Sequence, residues 1–422
     1  MGVLIKKQKG LPVLTGMAKL SIIIFLISLS SSVVDTVWAV YLYSFFKSES
    51  AVGYFSSFLT LVALGSYIIF VPLIENSRKM KVFAYSLLGF AITYTLFALN
   101  RNLYILVILA FILTMLYTFR ITSLGIIIKN KSQQTQLSRN EGMRYTFMNI
   151  AWVIGPLISG YIADKYEINL VFVLSAIFIF LALILFRTSH IRDNEKIKKV
   201  KKQRHRDILK NFFQFFRNRE RLVVYFIGGG AALWWGFIYL YMPIHIIKAG
   251  LSNLWVGYFL FAVAIPLILC EYAFSKWAEK IGFRTIFKIG FILTSILAFS
   301  SFFIESIYVI MALLVLASFG MAMIEPTSEA YFFDLIDDRQ ECRFYGPYNT
   351  TIDVNHFIGK MLAASMLLFL PFKYLFILFG VLMFLMFLLS FKVKNIIEKN
   401  KRKTKNSRTL RLKEELDAKD GE

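Results

Sequence analysis

Val52-Gly53-Tyr54-Phe55 (VGYF) recurs unchanged as Val256-Gly257-Tyr258-Phe259, 204 residues downstream. One four-residue recurrence decides nothing by itself, so the test is whether other features keep the spacing. Glu75 pairs with Glu279, Gly142 with Gly346 and Gly155 with Gly359 at the same interval. RITSL at Arg120 matches EPTSE at Glu325 with one residue of slip, and YLY at 41–43 returns less closely at 239–241. The chain reads as a duplication.

Composition says what was duplicated. Apolar residues make up 57% of the chain, which holds 43 phenylalanines, and the mean hydropathy is +0.62. One soluble domain cannot bury that much apolar side chain, so lipid must take the excess. Runs of roughly 20 apolar residues, long enough to cross a bilayer core as a helix, occur twelve times. Six lie near 19–46, 50–74, 82–99, 103–128, 146–163 and 169–186; six more lie near 222–247, 252–274, 286–304, 306–332, 346–370 and 374–391. The first run continues to Phe46, past the short core of a signal peptide, and reads as a retained span.

The net charge of +22 is unevenly placed. Lys and Arg crowd into alternate connections: KKQK at the start, SRKMK at 77–81, KNK at 129–131, the stretch from Arg187 to Arg221, and KNKRKTK at 399–405. The opposite connections hold little beyond Lys47, Arg101, Lys165, Lys248 and Lys373. This asymmetry predicts a multi-pass protein of the plasma (inner) membrane with both termini cytoplasmic. The basic tail reads as an anchor beside anionic headgroups, with no nucleic acid as partner. Cys270 and Cys342 read as free thiols.

Twelve spans in two copies predict an all-α membrane protein of two like-oriented six-helix bundles. The expected divisions are an N-terminal bundle (1–187), a cytoplasmic linker with an amphipathic helix (188–220), a C-terminal bundle (221–393) and a basic tail (394–422). In the linker, Ile208, Leu209, Phe212, Phe213 and Phe216 would share one helical side resting on the membrane surface.

Over nearly its whole length the chain resembles the major facilitator superfamily of transporters. The most specific match is on span 5, where Gly142, Ala151, Gly155, Pro156, Ser159 and Gly160 resemble the motif of the drug/proton antiporter branch. Span 11 answers with Gly346, Asn355, Gly359, Lys360, Ala363 and Ala364. Small residues let helices approach closely and Pro156 permits a bend. The family's cytoplasmic loop signature is matched by Ser275, Glu279, Lys280, Gly282 and Arg284, and only partly by Glu75, Asn76, Arg78 and Lys79 in the first copy, which lacks both glycines. The resemblance implies gating roles for Glu75, Arg78, Glu279, Lys280, Arg284, Gly155, Pro156 and Gly359, and it implies helices 3, 6, 9 and 12 on the outside.

A charge in mid-bilayer costs about 2.5–3.5 kcal/mol on insertion scales and survives where it faces protein or water. Spans 3, 6 and 12 have uncharged cores, and span 9 is clean after Lys288. The other spans hold Asp35, Arg120, Glu271, Glu325, Glu329, Asp353, His356 and Lys360. Asp35, midway along span 1, is a candidate proton carrier or a buried acid satisfied by nearby serines. Asp353, His356 and Lys360 follow at spacings of three and four and so line one face of span 11. Arg120 and Glu325 sit at similar depth on spans 4 and 10 and could pair. Family members often carry an arginine on helix 4 that helps move protons, followed by glutamine, which RITSLG lacks. The proton-coupling set is therefore Asp35, Arg120, Glu325, Asp353 and His356. Lys360, Asn149 (the equivalent of Asp353), Trp38, Tyr41, Trp234, Trp235 and Tyr239 are candidates for the substrate cavity.

These features predict a monomeric secondary transporter working by alternating access, with proton-coupled efflux of a small molecule as the leading form and proton as coupling ion. A symporter or uniporter for a sugar or other nutrient is the alternative. An intramembrane enzyme would need its groups clustered at one face; no Walker loop, His-Glu-x-x-His or Gly-x-Ser-x-Gly occurs, and four histidines are spread along the chain. No metal or cofactor is expected. A receptor that transports nothing gives no reason for buried charges in both halves.

Overall fold

Residues 5–8, 11–14, 16–131, 137–189, 205–336 and 340–394 are described by the structure, a computed structural model. An antiparallel hairpin, β1 (Ile5–Gln8) and β2 (Leu11–Leu14) with Ile5 opposite Leu14, adds a short strand pair that the apolar pattern did not indicate. Six long helices follow: α1 (Gly16–Phe46), α2 (Glu49–Glu75), α3 (Lys79–Leu99), α4 (Leu103–Lys131), α5 (Leu137–Lys165) and α6 (Ile168–Thr188). The linker helix α7 (His205–Phe216) leads to α8 (Arg219–Lys248), α9 (Asn253–Ile281), α10 (Phe283–Phe302), α11 (Ile307–Leu335), α12 (Glu341–Met366) and α13 (Tyr374–Ser390).

Each expected span is a helix, but they are not equally suited to lipid. Among the described residues ten helices are long and apolar enough to cross a membrane. The exceptions are α12, diluted by Asp353, His356, Lys360 and its asparagines, and α13, which has only 17 residues. Internal prolines fall in α2, α5, α8, α9, α11 and α12. None falls in α1, α3, α4, α6, α10 or α13.

The helices pack into two units. The first is Met1–His205 with Leu233–Ile265 and Asp353–Leu375; the second is Arg206–Ala232 with Pro266–Ile352 and Phe376–Glu422. Equivalent elements of the two sequence copies therefore meet inside the first unit. There α1 is central, packing on α5, α6 and α2, while α3 packs on α6 and α4. Lipid tails are as apolar as leucine, so close packing and hydrogen bonds must hold such helices together. Ser30 Oγ donates to the Ser175 carbonyl at 2.9 Å and Ser159 Oγ to the Val33 carbonyl at 2.6 Å, tying α1 to α6 and α5. Gly155 lets α5 reach the Ser32 side chain of α1. Between α1 and α2 the chain turns in two residues: Lys47 takes a left-handed φ of 54°, and Ser48 caps α2 by accepting from the Ala51 amide.

In the second unit Gly290 of α10 lies against Gly320 of α11, and Thr294 Oγ1 donates to the Ala317 carbonyl at 3.2 Å. Arg284 Nε donates to the Val393 carbonyl at 2.7 Å, and Lys394 pairs with Glu220 at 2.6 Å. Phe213 of the linker helix, one of the residues expected on its membrane-facing side, is exposed, and a near neighbour packs into the protein. Phe215 is fully buried against Tyr225 of α8 and Phe344 of α12, and Phe213 is 73% exposed. Arg343 of α12 donates to Asn211 and Gln214 on the same helix, tying α7 to α12.

Candidate functional site

Asp35 is exposed in the middle of a helix whose adjoining residues are buried: Val33, Val34, Thr36 and Val37 are all at 2% or less. A carboxylate looking into acyl chains would have no charged company. Asp35 instead lies within electrostatic reach of Arg120 from α4 and Lys360 from α12. The opening beside it is thus an interior, water-accessible space of the first unit.

The side chains around that space come from five helices. Arg120 is 5% exposed, donates to Ser31 Oγ at 3.2 Å and lies over the rings of Phe90 (4.3 Å) and Tyr117 (5.2 Å). Stacking plus one hydrogen bond fixes the guanidinium plane and leaves further N–H groups for a ligand or an acid. Tyr94 of α3 shares Ser31, and Tyr67 and Tyr117 feel both Arg120 and Asp353. Lys360 Nζ donates to Thr60 Oγ1 of α2 at 3.4 Å and is flanked by Asp353 and Asp35. His356 stands beside Gly236 of α8, one turn from Lys360. The arrangement holds two acids, two bases and an imidazole in one polar volume ringed by tyrosine hydroxyls.

Other predicted residues lie elsewhere. Tyr41 is 3% exposed and gives its hydroxyl to the Phe97 carbonyl at 2.9 Å; with Trp38, Phe97 and Phe172 it forms an aromatic core rather than a cavity wall. Trp234 is fully buried against Phe237, whereas Trp235 and Tyr239 are half-buried, with Tyr239 edge-on to Trp152. Asn149 is exposed. Glu325 belongs to the second unit, within reach of Glu271. Glu279 and Lys280 are exposed at the end of α9, and Arg78 precedes α3 without a side-chain cap. The side chains of Glu75 and Cys342, residues 190–204 of the linker and the tail beyond 394 lie outside the described residues. Cys270 is a half-buried free thiol.

The first unit also holds both copies of VGYF, and each glycine is a crossing point. Gly257 of α9 meets α5: an added Cβ would collide with the Pro156 carbonyl oxygen and stand 3.0 Å from Gly160 Cα. Gly53 of α2 meets α12, with Ala364 Cβ 2.7 Å from the same hypothetical atom and the Tyr241 hydroxyl closer still. Ala364 is the 204-residue equivalent of Gly160, so the two contacts are the same contact made twice. Even the carbonyls correspond, because Tyr241 donates at 2.8 Å to Lys360 O, the counterpart of Pro156 O. Around these crossings Ser50 Oγ bonds the Ala364 carbonyl (2.7 Å), Tyr54 bonds Ser365 (3.0 Å) and Glu49 pairs with Lys248 (3.0 Å). That end of the unit, at the α1–α2 turn, is closed.

The sequence profile of the Major Facilitator Superfamily matches residues 20–274 and 256–416. The chain belongs to the major facilitator superfamily. It is a multi-pass integral membrane protein. An uncharacterized MFS-type transporter of Methanocaldococcus jannaschii is 23% identical over 234 residues, covering 54% of this chain and 59% of that relative. Among solved structures, the nucleoside transporter NupG superposes with a TM-score of 0.72 at 14% identity, over 90% of this chain and 100% of its own. A peptide transporter crystallised with sulfate gives 0.72 at 13% (92% and 94%). A bacterial homologue of the iron transporter ferroportin, inward-facing, gives 0.67 at 15% (89% and 98%). At such identities the likeness is one of fold.

Within this superfamily fold the residues missed by pattern reading are Tyr67, Tyr94, Tyr117 and Thr60. Tyrosine in a span reads as apolar, and α3 was set aside for lacking charge. A signal did exist: Tyr117 precedes Arg120 by one helical turn, the spacing of facing neighbours.

Proposed function

We propose that the protein is a secondary transporter that moves a small polar or amphipathic molecule by alternating access, coupled to protons and directed outward. The observation that carries the reading is the juxtaposition of Asp35 with Arg120 and Lys360 in a water-accessible interior. An acid between two bases can hold a proton in one state and an ion pair in another, which links protonation to substrate occupancy. Asp35 and Asp353 carry the proton in the first unit, with His356 beside them, and Glu325 serves with Glu271 in the second. Arg120, Lys360 and the tyrosine hydroxyls bind the substrate. The paired crossings at Gly53 and Gly257 form one gate of the first unit; the loop residues, Arg78 in the first unit and Glu279, Lys280 and Arg284 in the second, act at the cytoplasmic ends of their own helices. The solved relatives carry cargo as different as a nucleoside and a peptide, so the fold does not select the cargo.

The test is substrate-dependent pH change in proteoliposomes, screened over dyes, sugars, nucleosides and peptides. Asp35→Asn is expected to abolish uphill movement while leaving exchange measurable. Uphill transport equal to that of the parent would remove Asp35 from coupling, and accumulation along the proton gradient would replace efflux by symport.

A further inference from the structure

A second polar site lies in the other unit, where the linker helix meets the bundle. Gln214 and Arg217 at the end of α7, Asn218, Arg221 of α8, and Gln340, Arg343 and Phe344 at the start of α12 line a cavity of about 370 Å³. Three guanidinium groups converge there, and among the described residues no carboxylate lines it. Glu220, which adjoins Arg221 in sequence, is taken by Lys394 at 2.6 Å. Arg221 and Arg343 are held over the same ring, at 4.1 and 5.2 Å from the Phe344 centroid. Like charges brought together in this way repel unless an anion lies between them.

The donors are poised for one. Arg343 spends Nε on Asn211 and one terminal nitrogen on Gln214, which orients the rest of its fork. Arg221 Nη1 is buried and has no hydrogen-bond partner among the described residues, an arrangement that is costly if nothing occupies the space. Guanidinium forks match tetrahedral oxyanions, giving two parallel hydrogen bonds each. Depth agrees as well. The 30 residues of α8 span about 45 Å against a hydrocarbon core of about 30 Å, so its first turn lies in the headgroup layer. Basic pockets at that depth suit phosphate groups.

We propose that Arg217, Arg221 and Arg343 form a binding site for a phosphate-bearing anion, which clamps the linker helix to α8 and α12. The phosphate has two candidate sources, an anionic lipid headgroup and free phosphate in the aqueous phase. The experiment uses the full chain in detergent. Native mass spectrometry counts adducts of dioleoyl-phosphatidylglycerol against dioleoyl-phosphatidylcholine, and calorimetry follows inorganic phosphate. The parent is expected to retain phosphatidylglycerol at least tenfold better than phosphatidylcholine, and Arg221→Gln/Arg343→Gln is expected to lose that preference. Arg217 is exposed, so Arg217→Gln, expected to weaken retention several-fold, serves if the double variant does not fold. Binding of inorganic phosphate with the same arginine dependence would identify the free anion as the source; lipid selectivity without it would identify the headgroup. Absence of both, or binding indifferent to these substitutions, overturns the site.

Discussion

Replacing Gly257 by alanine tests the closed end of the first unit directly. The new methyl would press on the Pro156 carbonyl oxygen and on Gly160 Cα at 3.0 Å. Both are backbone atoms and cannot rotate away. Carbon atoms pack best at about 3.5–4.0 Å, so α9 and α5 must separate by at least about 0.5 Å. Overpacking of this kind costs about 1–3 kcal/mol, and the cost falls only on the state in which these helices touch. A differential of that size shifts a two-state equilibrium by about 5–150-fold toward the state open at this end. Spin labels at Lys47→Cys and Ala249→Cys, both exposed at the same end, would report it by pulsed electron resonance as a longer distance population. Gly65→Ala is the control, since an added Cβ there has nothing within 4 Å, and it should leave the distances alone. An unchanged distance distribution in Gly257→Ala would refute the claim that this glycine gates.

Four further outcomes are expected. Glu49→Gln should open the same end by a few-fold at most, because a half-exposed ion pair contributes about 0.2–1 kcal/mol; exchanging the charges of Glu49 and Lys248 should restore closure in the same distance measurement. Arg120→Lys keeps the charge but loses the planar stack on Phe90, so substrate affinity in a binding titration should fall at least several-fold. Phe215→Ala removes the buried anchor of α7, a loss of about 3–5 kcal/mol, and should raise hydrogen exchange through residues 205–216 while α10 stays protected. His356→Ala should alter the pH profile of transport in proteoliposomes, and a profile identical to the parent's would return His356 to a packing role.

The fold was legible because lipid imposes a coarse rule: roughly 20 apolar residues per crossing and basic residues at one end. The duplication was legible because the contact between Gly53 and α12 and that between Gly257 and α5 need the same small residues at the same interval. The charged part of the site could be read for a related reason, since Asp35, Arg120 and Lys360 are too costly in lipid to be incidental. What escaped were groups that cost little there. Tyr94 and Tyr67 look like ordinary apolar neighbours until Arg120 is placed beside them, and Trp38 and Tyr41 look like cavity-lining residues until Phe97 and Phe172 surround them. In FFQFF phenylalanine falls on every side of α7, and the apolar pattern left out Phe215, the one that packs against Tyr225 and Phe344.

The polarity of α12 bears on how the protein is made. A segment holding Asp353, His356 and Lys360 is a poor candidate for entering the bilayer unaided, each central charge opposing insertion by about 2.5–3.5 kcal/mol. It must be admitted together with helices already in place, whose Thr60 hydroxyl and Asp35 carboxylate stand ready to receive it. Substitutions at those two positions would then be felt during biosynthesis, as retained or degraded nascent chains, before any effect on the mature protein could be measured.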